Sequence, residues 1–213
     1  MELTPPVSRF EQAYRDGDPP WVIDEPQPAV VALVDSGAVT GTVLDPGCGT
    51  GEHTILLAGL GYDVLGADAA PTAVRRARQR AAAAGVDARF VVADALAPDG
   101  LGPFDTVVDS ALFHLFDPGD QARYARALAG VVRPGGVVHV LALARTGAAA
   151  AEFGPVIDAA DVRAAFTGPD WTVETVGPAS YRGVVTAGLA GAYGEPAGTR
   201  VEVPAHLARV RRR

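Results

Sequence analysis

The amino-acid sequence predicts a doubly wound α/β fold, in which a mostly parallel sheet of seven strands carries helices on both faces. Three observations support this prediction. Short apolar runs alternate with helical stretches along the chain, which is the rhythm of βαβ units. A glycine-rich turn follows the first of these runs. Residues 137–144 are apolar except for His139, which is typical of a strand buried on both faces of a parallel sheet.

Local signals justify the individual elements. Pro71 suits the first turn of a helix over 71–84, because its missing N–H would have no partner there, and Gly85 suits the helix end. Residues 121–132 predict another helix, which the Arg-Pro-Gly-Gly turn at 133–136 closes. Shorter helices are predicted over 28–36, 51–60 and 161–167. The other strands are predicted over 43–45, 62–68, 89–94, 104–110 and 171–176, and within 199–211.

The first 28 residues predict an irregular arm that precedes the core. They hold five prolines before Pro28, including the pair Pro19-Pro20. Trp21 lies in this arm with no core strand to pack against, so we expect it to belong to a lid that folds over the ligands. Residues 29–213 are then one domain, since a chain of 213 residues suits a single α/β core.

Composition and charge exclude several classes of function. The net charge of −7 argues against a nucleic-acid partner, whose phosphates would be repelled. The chain has no lysine, which excludes Schiff-base chemistry, and its single cysteine, Cys48, excludes an internal disulfide and a cysteine-based zinc site. No apolar run is long enough to span a membrane and no signal peptide is evident. We expect a cytoplasmic monomer or homodimer that binds no metal, and we interpret the basic tail at 209–213 as a frayed end.

The glycine-rich turn at 44–51, Leu-Asp-Pro-Gly-Cys-Gly-Thr-Gly, joins the first predicted strand to a helix. Glycines allow the backbone to approach a ligand closely, and the start of a helix presents free N–H groups. Glu52 occupies the position of the third glycine in the dinucleotide fingerprint, where a carboxylate would sit badly against a pyrophosphate. Asp45 could face the ammonium group of S-adenosylmethionine, directly or through water. The motif therefore favours S-adenosylmethionine over NAD as the cofactor.

Acidic residues also follow the next two predicted strands. Asp68 ends the second strand, where Rossmann-type sites place an acid that binds the ribose hydroxyls. Asp94 follows the third strand, where it could accept the adenine amino group while the N–H of Ala95 meets a ring nitrogen. His53 opens the first helix after the turn and is expected to contact the cofactor or solvent. The full predicted cofactor-binding set is Trp21, Asp45, Gly47, Cys48, Gly49, Gly51, His53, Asp68, Ala69, Asp94, Ala95 and Asp109.

With these motifs the chain resembles the class I S-adenosylmethionine-dependent methyltransferases, which have a Rossmann-like fold. The resemblance covers residues 21–176 and implies an enzyme that releases S-adenosylhomocysteine as a product. It departs from the family's common first motif at Pro46, where Val or Ile is usual. The matching motifs are the glycine turn at 44–51, Gly-Ala-Asp at 66–68, Ala-Asp-Ala at 93–95, Phe-Asp-Thr-Val-Val-Asp-Ser at 104–110 and Arg-Pro-Gly-Gly at 133–136.

A narrower resemblance concerns the methyl acceptor. Residues 21–28, 109–114 and 153–155 are similar to small-molecule methyltransferases of the thiopurine and heterocyclic-toxin group. This similarity implies transfer to a hydroxyl, thiol or ring nitrogen of a small aromatic heterocycle. The arm departs from that group's usual Trp-Asp-Ile-Gly at Val22 and at Asp24-Glu25, and His206 stands where an aromatic residue is expected.

Methyl transfer requires a positioned nucleophile, and it requires a base only where the acceptor is protonated. His114, just past the fourth strand, is the candidate catalytic base, whereas an acceptor of low pKa would need none. His139 is interpreted as a core histidine. We expect an aromatic-walled acceptor pocket, with an arginine that could face an anionic acceptor. Its predicted residues are Tyr14, Trp21, Phe113, His114, Phe116, Arg145 and Phe153.

Two alternative functions stay open. A nucleic-acid methyltransferase would typically carry an Asn-Pro-Pro-Tyr type segment after the fourth strand to hold a flipped base. This chain has Asp-Ser-Ala-Leu at 109–112 instead, and it is acidic, so both features disfavour that alternative. A binding protein that kept S-adenosylmethionine but lost catalysis would show the same glycine turn, and only turnover of an acceptor would distinguish it.

Overall fold

A computed structural model describes residues 4–145 and 153–213, and within them the chain forms one seven-stranded sheet. The strands are β1 Thr42–Pro46, β2 Asp63–Asp68, β3 Arg89–Val92, β4 Phe104–Ser110, β5 Val132–Leu143, β6 Trp171–Val184 and β7 Arg200–Arg212. The helices are α1 Val7–Asp16, α2 Pro28–Asp35, α3 Glu52–Gly59, α4 Pro71–Ala83, α5 Pro118–Val131, α6 Ala159–Ala165 and α7 Ala190–Tyr193. A 3-10 turn, Phe113–Leu115, separates β4 from α5.

The sheet has the strand order β3-β2-β1-β4-β5-β7-β6. β1 to β5 run parallel to one another, and β7 is inserted antiparallel between β5 and β6. The predicted mostly parallel sheet of seven strands is therefore confirmed. The order reverses between β1 and β4, and open sheets of this kind bind ligands at the carboxyl ends of the strands beside the reversal.

Helices cover both faces because successive residues of the central strands point to opposite sides of the sheet. On β1, Val43 packs in a cluster with α2 and α3, whereas Leu44 packs in a cluster with α5 and α6. On β4, Val108 and Val107 divide between the same two clusters. All four side chains are buried, which explains why these strands are apolar without alternation.

The arm contains a helix, so the prediction of an irregular arm is wrong for α1. Phe10 and Tyr14 lie four residues apart and share one face of this helix. Glu11 anchors it to α4, since its carboxylate accepts the N–H of Thr72 at 2.9 Å and the hydroxyl of Thr72 at 2.6 Å. The prolines of the arm lie on either side of the helix, where they do not interrupt its hydrogen bonds.

The rest of the arm covers the edge of the sheet along β6. Val184 donates its N–H to the carbonyl oxygen of Pro20 at 2.8 Å. The side chain of Gln27 exchanges two hydrogen bonds of 2.8 Å with the backbone of Arg182. Backbone groups that an edge strand would leave open are paired here, so the arm is integrated with the domain.

β6 extends further than predicted because it pairs with β7 as far as its last residue, whereas β7 lies where the last strand was predicted. The predicted strand ended just before Gly177 and Pro178, which interrupt the apolar pattern, yet both residues keep partners on β7. Arg209 and Arg211 lie in β7 and form ion pairs with Glu174. The basic tail is therefore part of the sheet, and its interpretation as a frayed end is wrong.

The described part of the chain holds no helix that is long and apolar enough to cross a membrane. The same residues hold no group of three or more His, Cys, Asp or Glu side chains placed to bind a metal ion. Cys48 is buried as a free thiol.

Candidate active site

A cavity of about 360 Å³ lies at the carboxyl ends of the central strands. Gly47, Asp68 and Asp94 line it on the side of the sheet. The arm lines it from the opposite side, and residues on both sides of the 3-10 turn form a third wall. Its size is ordinary for a small-molecule site, and its position is the one expected beside the reversal of strand order.

The glycine turn after β1 depends on the absence of side chains at two positions. Gly49 has a φ of +55°, and a Cβ there would lie 2.8 Å from the hydroxyl oxygen of Tyr14. Gly51 has a φ of +89° at the N-terminus of α3, and a Cβ there would lie 2.9 Å from the ring of Phe90. These glycines let the turn approach both the arm and the sheet.

Two carboxylates stand along the cavity at strand ends. Asp68, the last residue of β2, accepts the N–H of Gly49 at 2.9 Å and the N–H of Ala70 at 2.8 Å, one on each oxygen. These bonds fix the orientation of the carboxylate and leave each oxygen a free lone pair. Burial raises the pKa of Asp68, and the two backbone hydrogen bonds oppose that rise. Asp94, just past β3, accepts the N–H of Leu96 at 2.9 Å through Oδ1 only.

Asp45 is buried beneath the glycine turn and does not line the cavity. Its Oδ2 accepts the hydroxyl of Thr54 at 2.6 Å. Burial raises the pKa of Asp45 to about 7, and the negative charges of Glu52 and Asp109 add to the rise. A nearby cation would favour the charged form of this carboxyl through the low-dielectric interior.

Asp109 is also buried, and it anchors the 3-10 turn. Its Oδ1 accepts the N–H of Leu112 at 3.1 Å and the N–H of Phe113 at 3.3 Å. Burial raises the pKa of Asp109 to about 6. The nearby hydroxyl of Tyr124 opposes this rise, although it does not form a hydrogen bond of good geometry with the carboxylate. The carboxylate therefore contacts the turn that carries His114, and it does not face the cavity.

Three aromatic side chains of the arm, Phe10, Tyr14 and Trp21, line the cavity. Trp21 donates its Nε1–H to the hydroxyl of Tyr14 at 2.9 Å, and the two rings meet edge to face with centroids 6.1 Å apart. Phe10 meets Trp21 in the same way, also at 6.1 Å. The hydrogen bond at Nε1 and the two ring contacts together fix the position of Trp21 on the cavity wall.

His114 lies in the 3-10 turn and lines the cavity with only 4% of its surface exposed. Its Nδ1 accepts the N–H of Leu143, the last residue of β5, at 3.3 Å. Burial lowers the pKa of His114 to about 3, so the imidazole is neutral at ordinary pH. His139 is a core histidine as predicted, since it is 2% exposed and its Nε2 lies 3.2 Å from the carbonyl oxygen of Ala38.

Comparison with known proteins identifies the family. Residues 43–136 match the family described as "Methyltransferase domain". Over 185 residues the chain is 35% identical to a 2-heptyl-1-hydroxyquinolin-4(1H)-one methyltransferase of Mycobacteroides abscessus, and the match covers 80% of this chain and 79% of that protein. The chain belongs to the S-adenosylmethionine-dependent methyltransferases. It is an enzyme of that class, and S-adenosylmethionine is its methyl donor.

Solved structures share the fold of this chain. One, described as "Conversion of a Disulfide Bond into a Thioacetal Group during Echinomycin Biosynthesis", is 38% identical with a TM-score of 0.87, and the match covers 97% of this chain and 92% of that one. A methyltransferase of Anabaena variabilis shares the fold with a TM-score of 0.77 at 17% identity, over 100% of this chain and 98% of that one.

The residues of the methyltransferase cavity fit S-adenosylmethionine. The donor carries hydroxyls, an adenine amino group and an ammonium, which are all hydrogen-bond donors. The cavity offers them the free lone pairs of Asp68 and Asp94, and the buried carboxyl of Asp45 lies below the turn. The cofactor has no phosphate, and the carboxylate of Glu52 is already paired within the protein, with Arg80 at 3.3 Å and the hydroxyl of Thr50 at 2.6 Å.

Many predicted site residues meet at this cavity. Gly49, Gly51 and Cys48 shape the turn behind it, and Nε2 of His53 accepts the N–H of Gln27 in the arm at 3.1 Å. Burial lowers the pKa of His53 to about 4. The predicted residues that line the cavity are Tyr14, Trp21, Gly47, Asp68, Ala69, Asp94, Ala95, His114, Phe116 and Phe153.

Two predicted acceptor contacts lie elsewhere. Phe113 is fully buried and stacks on Phe166 in the core, with ring centroids 5.9 Å apart. Arg145 lies on the surface, where it pairs with Asp158 at 3.1 Å and donates to the carbonyl oxygen of Val156 at 2.9 Å. Neither side chain lines the cavity, so the structure does not support contact with the acceptor.

Other residues of the cavity were not predicted from the sequence. Phe10 had a usable signal, because it lies four residues before Tyr14 on one helix face. Leu143 and Tyr181 had none, since their places depend on where β5 ends and how far β6 extends. The further cavity residues that were not predicted include Thr4, Pro5, Pro6, Val7, Leu96, Ser110, Ala111, Leu112, Leu115 and Asp120.

Proposed function

We propose that this methyltransferase transfers its methyl group to a hydroxyl, thiol or ring nitrogen of a small, apolar, aromatic heterocycle. The observation that carries the proposal is the wall of the cavity, which combines cofactor-side carboxylates with a mostly apolar lining. Methylation in secondary metabolism or detoxification fits an acceptor of this kind.

The chain's own residues would hold the donor at the sheet side of the cavity. Asp68 would accept the ribose hydroxyls and Asp94 the adenine amino group, while the carboxyl of Asp45 beneath the turn would favour the ammonium once it ionises. Bound S-adenosylmethionine supplies a methyl carbon on a sulfonium, which leaves as a neutral thioether. The protein therefore needs to orient the acceptor and exclude water, and it needs no acid for the leaving group.

The acceptor would lie among the side chains beyond the turn. Phe10, Leu115, Phe116, Leu143 and Phe153 line that part of the cavity and favour a flat apolar molecule over a sugar or a nucleotide. The name of the Mycobacteroides abscessus protein specifies a hydroxyquinolinone, and the description of the solved structure at 38% identity concerns a disulfide sulfur. The first name favours an acidic N-hydroxyl oxygen as the acceptor, and the second description favours sulfur.

The arm over residues 1–28 would act as the lid. Phe10, Tyr14 and Trp21 cover the cavity, and Glu11 ties their helix to α4 through Thr72. Access of an acceptor then requires the arm to move or the cavity to be entered beside it. Residues 1–3 of this predicted lid lie outside the described residues.

Calorimetric titration with S-adenosylhomocysteine tests the cofactor site. Asp68→Ala removes hydrogen bonds to a charged group and should weaken binding about 10- to 100-fold. Asp63→Ala is the matched control, because Asp63 starts the same strand and pairs with Arg89 at the surface. Equal affinity of wild type and Asp68→Ala would contradict the assignment.

Mass spectrometry with hydroxyquinoline, phenol and thiol heterocycles then tests the acceptor. Appearance of S-adenosylhomocysteine together with a methylated acceptor supports the proposal. Binding of S-adenosylhomocysteine without turnover of any of these compounds would contradict the acceptor class. A cytoplasmic location, a monomer or homodimer, and the lack of a nucleic-acid partner stay predictions.

A further inference from the structure

The hydrogen bond at Nδ1 of His114 determines which of the two ring nitrogens carries the proton of the neutral imidazole. An N–H group of the backbone can only donate, so the N–H of Leu143, 3.3 Å away, needs the lone pair of Nδ1. A neutral imidazole carries its single proton on the other nitrogen, which is Nε2. His114 therefore presents an N–H donor, and its one basic lone pair is already used.

Nε2 of His114 lies close to Gly154. A Cβ on Gly154 would lie 4.0 Å from it, so the nitrogen borders the space in front of that glycine. The buried side-chain atoms that lack partners in the described ranges are Asp109 Oδ2, Ser110 Oγ and Tyr124 Oη. Nε2 of His114 forms no hydrogen bond with the protein in these ranges, yet it is not one of the buried atoms. It is therefore exposed, and the cavity that His114 lines is the space it is exposed to.

The other ionisable groups on the described cavity wall are unsuited to deprotonating an acceptor. Asp68 and Asp94 are the carboxylates that fit the cofactor, and Asp120, in the first turn of α5, pairs with Arg123 at 3.9 Å. Burial raises the pKa of Tyr14 and of Tyr181 above the ordinary value, so both keep their protons. Burial alone shifts the pKa of His114, and it keeps the ring neutral.

We propose that His114 is an acceptor-positioning donor, which binds the ionised oxygen or sulfur of the acceptor through Nε2–H and thereby selects acceptors that arrive deprotonated. The inference rests on the proposed function and replaces the predicted role of His114 as a general base. A hydrogen bond from N–H to an anion is stronger than one to a neutral hydroxyl, so it favours the ionised acceptor.

The group transfer then balances without a proton transfer to the enzyme. The anionic oxygen or sulfur gives its lone pair to the methyl carbon, and the electron pair of the broken carbon–sulfur bond returns to the donor's sulfur. The acceptor loses its negative charge and the donor its positive charge. The acceptor's proton has already gone to solvent, so acidic phenols, N-hydroxy compounds and thiols are the class that this arrangement accepts.

Two amide variants distinguish a donor from a base, since neither amide acts as a base at neutral pH. His114→Gln reaches the position of Nε2 with an N–H donor, whereas His114→Asn reaches only the position of Nδ1. We expect His114→Gln to lower kcat/KM less than about fivefold and His114→Asn about 10- to 100-fold, mainly through KM. Equal, severe losses of kcat in both variants would overturn the proposal.

The pH profile gives a second kinetic criterion. Two acceptors whose own pKa values differ should shift the rising limb of kcat/KM by the same difference, because the ionised acceptor is the reactive form. A limb that stays at one pH for both acceptors would indicate an enzyme base and overturn the proposal.

Nitrogen-15 NMR of the imidazole groups tests the tautomer without any acceptor. The His114→Gln spectrum assigns the His114 signals among the four histidines. Protonated Nε2 with unprotonated Nδ1 in the wild-type chain is the expected result, and protonated Nδ1 would overturn the proposal. Failure of acceptor turnover or of S-adenosylhomocysteine binding would instead count against the proposed function, because the tautomer belongs to the free protein.

Discussion

Replacing Asp45 by Asn should remove a large part of the pH dependence of the protein's stability. Asp45 is 1% exposed, and burial raises its pKa from the ordinary 3.8 to about 7. Between these values the folded carboxyl keeps its proton while the unfolded one loses it. The folded state then binds more protons, so the free energy of unfolding falls as the pH rises through this window.

The magnitude follows from the two pKa values. One pKa unit corresponds to about 1.4 kcal/mol. The free energy of unfolding of the wild type should therefore fall by about 2.5 kcal/mol between pH 5 and pH 8 relative to that of Asp45→Asn. The amide keeps an oxygen for the hydroxyl of Thr54 but does not ionise. Urea unfolding at each pH measures the difference between the two proteins, and a constant offset from the substitution itself cancels out of its slope.

Asp105→Asn is the matched control for this measurement. Hydrogen bonds from Thr42 hold the pKa of Asp105 below its ordinary value, so its carboxylate is charged in both states above pH 5. Its difference from wild type should be constant between pH 5 and pH 8. The reasoning on burial is refuted if the Asp45→Asn difference is equally flat, or if it changes in the opposite direction.

Two further predictions separate the core from the cavity. Phe113 is buried in the core, so Phe113→Leu should lower the free energy of unfolding by about 1–2 kcal/mol without changing the KM for the acceptor. Phe116 lines the cavity, so Phe116→Leu should raise that KM severalfold. Urea unfolding and steady-state kinetics on both variants check these expectations. Gly183→Ala would place a Cβ 2.2 Å from the ring of Phe153 and displace this acceptor-side residue. The variant should raise the acceptor KM and leave the affinity for S-adenosylhomocysteine, measured by calorimetry, unchanged. A weaker affinity for S-adenosylhomocysteine with a normal acceptor KM would contradict this.

The cofactor half of the site was accessible from sequence because its signals are local. A short apolar strand, a turn with glycines and an acid at the next strand end are each read within a few residues, and parallel strands bring their carboxyl ends to one edge. Asp68 and Asp94 lie at the cavity for that reason. The helix in the arm was also encoded locally, by Phe10 and Tyr14 on one face, but the surrounding prolines obscured it.

The acceptor half depended on contacts between distant segments. Tyr181 reaches the cavity because β6 continues past Gly177 and Pro178, and only its pairing with β7 sustains that length. No pattern within the strand itself predicts such an extension. Arg145 was assigned to the site from its position after β5, but an ion pair with Asp158 holds it at the surface.

The sequence by itself determined the glycine turn, the acids at the strand ends and the class of fold, because all of these follow from local backbone preferences and strand order. Only the tertiary structure decided which side chains of the 3-10 turn enter the site. In such a turn successive residues rotate by about 120°, so neighbours face different surroundings. Phe113 therefore enters the core while His114 faces the cavity, and the N–H of Leu143 on another strand determines which of its nitrogens carries the proton.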